Sequence, residues 1–187
     1  MGIGFHIAGP GFPLDDAWIH QTYARNLAFN GRWEFIQGEI SGGSTSPLWT
    51  MLLSLGPLLG FKTPYFWTSL LSIAAFTGTT LTGFEIIRKK TGLNHTLVVA
   101  GVLLLGLEWH LLWSSASGME TILFCFLCLL IFNVLLGEKN YLLLGLLSGL
   151  IVWVRPDGLT MLGPVLLILF WRLIKKQVSI TKILTVI

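Results

Sequence analysis

Two adjacent carboxylates, Asp15 and Asp16, stand ahead of a long polar stretch in a chain where 53% of residues are apolar and only 11% are charged. Acids set side by side repel one another and must stay wet or find partners, a setting that suits proton transfer or cation binding. A plainer role is also open: Asp15 can cap a helix begun by Asp16 and Ala17, with Asp16 adding to the favourable dipole interaction. Further ionisable groups fall at the ends of apolar runs. Glu108 and His110 flank Trp109, Glu120 follows Ser117-Gly118-Met119, and Arg155 and Asp157 share Arg155-Pro156-Asp157-Gly158. Each has a structural alternative, since Glu120 suits a helix N-terminus, Arg155 can pair with Asp157 across a tight turn, and His110 can simply be solvated. Together they suggest a polar cavity at one membrane face, with arginine matched to a phosphate and a carboxylate to an acceptor hydroxyl.

The elements that must position these groups follow from composition. A mean hydropathy of +0.76 lies far from soluble proteins, in which about 25% of residues are charged. Leu-rich runs without strict alternation argue for membrane helices rather than barrel strands, so the fold class is all-α and polytopic. The net charge of +3 is modest and its basic residues sit at span ends, which points to topology and not to nucleic acid. Cys125 and Cys128 lie inside the apolar run 124–132 without nearby histidine, which makes them packing residues. The sequon Asn94-His95-Thr96 is assigned no role.

Five transmembrane segments are expected, at about 64–87, 96–113, 119–136, 141–154 and 159–174, the last two short for a span. Arg88, Lys89, Lys90, Arg172, Lys175 and Lys176, with weaker support from Lys139, mark the cytoplasmic side. Parity then puts Glu108, His110, Glu120 and Arg155 on the external side. Residues 1–63 form an external region and 64–187 the transmembrane region. A helix is expected over 15–29, with Ile19, Tyr23 and Leu27 on one stripe and His20, Arg25 and Asn26 elsewhere; Gly31 ends it. The Gly/Ser-rich stretch 38–46 reads as a polar loop able to approach a ligand through its backbone. The apolar run 47–61 contains Gly56 and Pro57 and is short, so it reads as an interfacial helix, with Trp49 and Lys62 at headgroup depth like Trp109 and Trp113. Residues 1–14, broken by Pro10 and Pro13, are too short to span or to form a normal signal peptide. The run 183–187 looks like the opening of another apolar segment, so the sequence reads as part of a longer chain.

Several of these motifs, taken in order, resemble the amino-terminal half of GT-C glycosyltransferases. They are Leu14-Asp15-Asp16-Ala17-Trp18-Ile19, Tyr23-Ala24-Arg25-Asn26-Leu27, Gly43-Ser44-Thr45-Ser46-Pro47-Leu48-Trp49, Ser117-Gly118-Met119-Glu120-Thr121 and Arg155-Pro156-Asp157-Gly158. The resemblance is to bacterial enzymes similar to protein mannosyltransferases, lipid A aminoarabinose transferase and cell-wall arabinofuranosyltransferases. It implies a multi-pass protein of the bacterial plasma or inner membrane. The donor would be a polyprenyl-phosphate-linked sugar, transferred with inversion to a glycan, lipid or protein acceptor on the external face.

In such enzymes an acid matching Asp15 or Asp16 acts as the base, with Asp15 the first choice. Glu120 helps to shape the site and basic residues hold the donor phosphate. His20, Arg25, Glu108, Glu120 and Arg155 are the candidate substrate-binding residues. No cofactor is fixed, although the acid pair is compatible with a divalent cation. The family's first span and its later spans lie outside this sequence, so catalysis is expected of the longer chain. A transporter or flippase with an external polar cavity is the alternative, and it would call for broken spans with ionisable groups near the midplane. A purely structural membrane subunit leaves the acids and the Gly/Ser loop unexplained.

Overall fold

The computed structural model describes residues 11–137 and 140–178, without the Lys90 side chain. The readings of residues 1–10, of Lys139 and of 183–187 lie outside these residues. Among the described residues the secondary structure is helical, apart from an isolated antiparallel bridge between Glu34 and Ile40. Helix α1 (Asp15–Asn30) begins after an extended Leu14 and ends at Gly31, whose N–H reaches the Leu27 carbonyl at 3.0 Å. Leu14 therefore occupies the cap position instead of Asp15, and no side chain caps the helix. Helices α2 (Pro47–Leu58), α3 (Pro64–Lys90), α4 (His95–Gly106), α5 (Trp109–Ala116), α6 (Thr121–Gly137) and α7 (Tyr141–Val154) follow. A 3-10 turn, Pro156–Met161, then leads into α8 (Leu162–Ile174).

Two helices are long and apolar enough to cross a membrane, Pro64–Lys89 and the continuous Pro156–Ile174. Helices α4 and α5, bent by 49°, add a third if they count as one span. Helices α6 and α7, with 17 and 14 residues, fall short of the roughly 20 residues a span requires. Among the described residues the chain is thus an all-helical membrane protein with two or three helices of membrane length, where the sequence reading expects five spans. The second expected span is interrupted for a local reason. Glu108 turns its carboxylate onto the Leu111 amide at 2.9 Å and starts a new helix, overriding the continuity of the apolar run. Asn94 likewise caps α4 through the Leu97 amide at 2.9 Å, which gives the sequon's asparagine a structural task.

Helices α3 and α6 run parallel. A side chain at Gly78 would come within 2.6 Å of the Phe126 ring, and seven residues further along each helix Asn133 donates to Glu85 at 2.8 Å. Close approach at small residues, reinforced by a polar pair, is how helices associate where lipid removes the hydrophobic drive between them. At this end Arg172 donates to the Leu135 carbonyl at 2.8 Å, so the end of α8 meets the end of α6 beside the basic cluster. The opposite end carries Glu120 and Arg155. The main core joins α6, α7 and α8 through Leu127, Ile131, Ile151, Val154, Val165 and Leu169. Leu104, Leu167 and Phe170 point outward, as suits a lipid-facing surface.

Helix α2 lies along the Glu120 end. The Ser46 hydroxyl donates to the Val154 carbonyl at 2.6 Å, the Trp49 indole to the Gly118 carbonyl at 3.1 Å, and the Trp67 indole to the Leu52 carbonyl at 2.8 Å. These contacts tie α2 to the end of α7 and to the starts of α6 and α3, all on one side of the bundle. Trp49, expected at headgroup depth, is instead buried among Ala24 and Leu53 as a core residue. Topology can be tested in variants with Cys125 and Cys128 replaced. Asp16→Cys and Ser115→Cys should react with an impermeant thiol reagent from one side of the membrane, and Lys89→Cys and Lys175→Cys only from the other. Labelling of all four positions from one side would contradict this arrangement.

Candidate functional site

Of the expected stripe Ile19, Tyr23 and Leu27, helix α1 buries only Tyr23, and Ile19 and Leu27 are half-buried. Its buried residues are Ala17, His20, Tyr23, Ala24 and Asn26. A small and polar face is buried because the segment 38–46 folds back over it. Tyr23 is the pivot: its hydroxyl meets the Ser41 hydroxyl at 2.6 Å and accepts from the Gly43 amide at 2.8 Å. A Cβ at Gly43 would come within 2.9 Å of that oxygen, which is why glycine stands there. Asn26 donates to the Glu34 carbonyl at 2.9 Å, while the Glu34 carboxylate accepts from Asn30 at 2.9 Å and from the Gly38 amide at 2.8 Å. The stretch expected as a polar loop is therefore clasped to α1, and its serines point inward.

One of these serines completes a buried polar cluster. His20 Nδ1 meets the Ser44 hydroxyl at 3.1 Å and the Thr50 hydroxyl at 3.4 Å, and the two hydroxyls are 2.8 Å apart. On the other edge of the ring, His20 Nε2 faces Glu120 Oε2 at 3.4 Å, with both side chains almost fully buried. Neither atom has a hydrogen-bond partner, so this contact is electrostatic. Arg155 stands 3.6 Å from the second Glu120 oxygen and donates to Asp157 at 3.0 Å. Its guanidinium carbon is also 5.9 Å from the centre of the Phe124 ring. The series runs from buried hydroxyls through His20 and Glu120 to the partly exposed Arg155. A proton on Nε2 would let Nδ1 accept from a hydroxyl, the simplest assignment of the ring.

The electrostatics follow from this pairing. The Glu120 carboxylate is nearly closed to water, and it is faced from two sides, by His20 Nε2 at one oxygen and by the Arg155 guanidinium near the other.

The sequence-derived candidates divide into two sets. His20, Glu120 and Arg155 come together although they are far apart in the chain. Asp15 and Asp16 are exposed in the first turn of α1 and make no hydrogen bond or ion pair among the described residues. Asp16 lies four residues before His20, so it sits one turn away on the same helix face. Arg25 makes no contact with the cluster, and its guanidinium meets Asn26 Oδ1 at 3.2 and 3.3 Å. Glu108 is occupied by its helix cap and by the exposed His110 at 2.6 Å. Ser44 and Thr50 were missed as site residues, and the only available sign was the density of hydroxyls in the stretch around them. Among the described residues no three His, Cys, Asp or Glu side chains gather as a metal would require, so no step is routed through a cation.

No protein-family model matches the sequence, and no curated protein or solved structure matches the chain.

Glu120→Gln leaves the Arg155 guanidinium and the buried His20 ring without the carboxylate they face, so thermal unfolding in detergent at neutral pH should show it less stable than the wild type by about 1–3 kcal/mol. Equal stability of the two proteins would contradict the pairing.

Proposed function

We propose that the chain is the donor-site portion of a multi-pass membrane glycosyltransferase of GT-C type. It would transfer a sugar from a polyprenyl-phosphate donor to a hydroxyl of a glycan, lipid or protein acceptor, on the external face of a bacterial plasma membrane. In this reading the five apolar segments cross the bilayer, α4 and α5 together forming one bent span. The observation that carries the proposal is the buried Glu120 between His20 and Arg155, at the end of the bundle where α1 and α2 lie. A lipid-linked donor presents its phosphate at headgroup level, which is where a partly exposed guanidinium beside a dry polar cluster is useful.

The chemistry needs little covalent help. The acceptor oxygen attacks the anomeric carbon as the bond from that carbon to the phosphate oxygen breaks, and inversion follows from in-line attack. The electron pair leaves with the polyprenyl phosphate, and the hydroxyl proton passes to a carboxylate of the Asp15 and Asp16 pair. Asp15 is the residue that matches the family's base, and Asp16 is the one on the His20 face. Both are exposed and without an ion pair among the described residues, so either can receive an acceptor hydroxyl. Arg155 has five donors and uses few of them on Asp157 and Glu120, which leaves N–H groups for phosphate oxygens. His20 and Glu120 would hold Arg155 and the floor of the site in place.

The break at Glu108 gives the transporter reading one supporting observation, since discontinuous helices line transport sites. Against it, the new N-terminus of α5 is already capped by the Glu108 carboxylate and offers no vacant pole to an anionic substrate.

Kinetics in the full-length protein separate these readings. Asp15→Asn or Asp16→Asn should lower turnover by roughly 100-fold while donor binding persists. Near-normal turnover in both variants would remove the acid pair from the chemistry. Arg155→Ala should weaken donor binding by about tenfold or more, and Arg155→Lys by less. Unchanged donor affinity would leave Arg155 as a structural partner of Asp157 and Glu120.

A further inference from the structure

A second concavity, of about 310 Å³, lies between α1 and the junction of α2 with α3, on a face of α1 other than that of His20. Trp18, Phe29, Leu53, Pro57, Phe61 and Trp67 supply its apolar walls. Phe61 and Trp67 are stacked with ring centres 5.6 Å apart, and the Trp67 indole N–H is already satisfied by the Leu52 carbonyl. This wall therefore asks for hydrocarbon and not for a polar group. Two cations, Arg25 and Lys62, belong to the same groove, and no carboxylate lines it. Arg25 meets only the neutral Asn26 oxygen, and Lys62 has no ion pair among the described residues.

Two independent features add to this charge. Residues Lys62, Thr63 and Pro64 line the groove where α3, a helix of 27 residues, begins without a side-chain cap. The positive pole of a long helix thus lies beside the two cations. Depth is the second feature, because the start of a membrane-length helix falls near the headgroup layer, with hydrocarbon immediately beyond.

We propose that this groove binds an anionic phospholipid of the surrounding membrane. Its phosphodiester would lie between Arg25, Lys62 and the start of α3, and an acyl chain along the aromatic wall. Charge complementarity selects this occupant. A zwitterionic lipid brings its own cation towards two others, and an acidic peptide leaves the aromatic wall without hydrocarbon. The site does not depend on the transferase reading, since none of its residues belongs to the His20 cluster. It also gives Arg25 a task that the polar cluster does not.

Native mass spectrometry of the delipidated full-length protein tests this, with phosphatidylglycerol and phosphatidylcholine of matched acyl chains as probes. Phosphatidylglycerol should be retained about tenfold more strongly, and the double variant Arg25→Gln, Lys62→Gln should lose that preference while its phosphatidylcholine retention stays unchanged. Lys175→Gln with Lys176→Gln, at the other end of the bundle, should keep the preference. Equal retention of the two lipids, an unchanged preference in the double variant, or an equal loss in the Lys175 and Lys176 variant would overturn the proposal. So would displacement of phosphatidylglycerol by an equimolar polyprenyl phosphate, which would assign the groove to that lipid instead. Should the double variant fail to fold, Lys62→Gln alone carries the test, because Lys62 is exposed and has no ion pair among the described residues.

Discussion

A carboxylate withdrawn from water at the end of a membrane bundle has to be neutralised, and most of the arrangement at that end follows from how Glu120 meets this need. Its partners come from distant parts of the chain: His20 from the middle of α1, Arg155 from the turn after α7. Leaving such a group uncompensated costs several kcal/mol, whereas pairing it fixes the position of every segment that contributes a partner. His20 in turn needs acceptors or donors for its other nitrogen, which draws the Ser44 stretch and the first turn of α2 inward. Helix α2 can then lie across the ends of α6 and α7, where Ser46 and Trp49 take up the carbonyls of Val154 and Gly118.

The opposite end is organised by a different constraint. Glu85 is shared by Lys89 at 2.6 Å and Asn133 at 2.8 Å, which joins α3 to α6 next to the basic residues. The bundle thus has polar clasps at its two ends and small or aliphatic contacts between them. The difference between the ends is chemical. At the basic end Lys89, Lys175 and Lys176 stay in contact with water and the buried Arg172 donates to a backbone carbonyl, whereas the Glu120 end buries a carboxylate and pairs it, as sites of chemistry often do.

Much of the helical order was legible because it depends on local signals. Gly31 stops α1, the prolines at 47 and 64 begin α2 and α3, and the basic clusters that end α3 and follow α8 share one end of the bundle. Hydrophobic periodicity failed where the covering partner was polar. His20 and Asn26 looked like an outer face, and they are buried because the folded-back stretch 38–46 supplies hydroxyls and carbonyls to meet them. Trp49 looked like an interfacial anchor, since a sequence does not reveal that a carbonyl at Gly118 will receive its indole. The break at Glu108 was hidden for the opposite reason: a run of apolar residues reads as one helix unless the capping strength of a single carboxylate is weighed against it. Parity of the apolar segments did group Glu120 and Arg155 on one side, but it also grouped Glu108 with them, and it cannot resolve which charges at one face will touch.

We propose that this end of the bundle serves sugar transfer from a lipid phosphate. The most direct measurement is a mass-spectrometric assay of the full-length protein in vesicles, offered a panel of polyprenyl-phosphate sugars together with membrane acceptors. Consumption of one donor, with stoichiometric release of free polyprenyl phosphate and appearance of a glycosylated product of inverted anomeric configuration, is the predicted result. If every donor stays intact while a solute or lipid moves across the vesicle membrane, the transferase account is contradicted and the transporter reading takes its place.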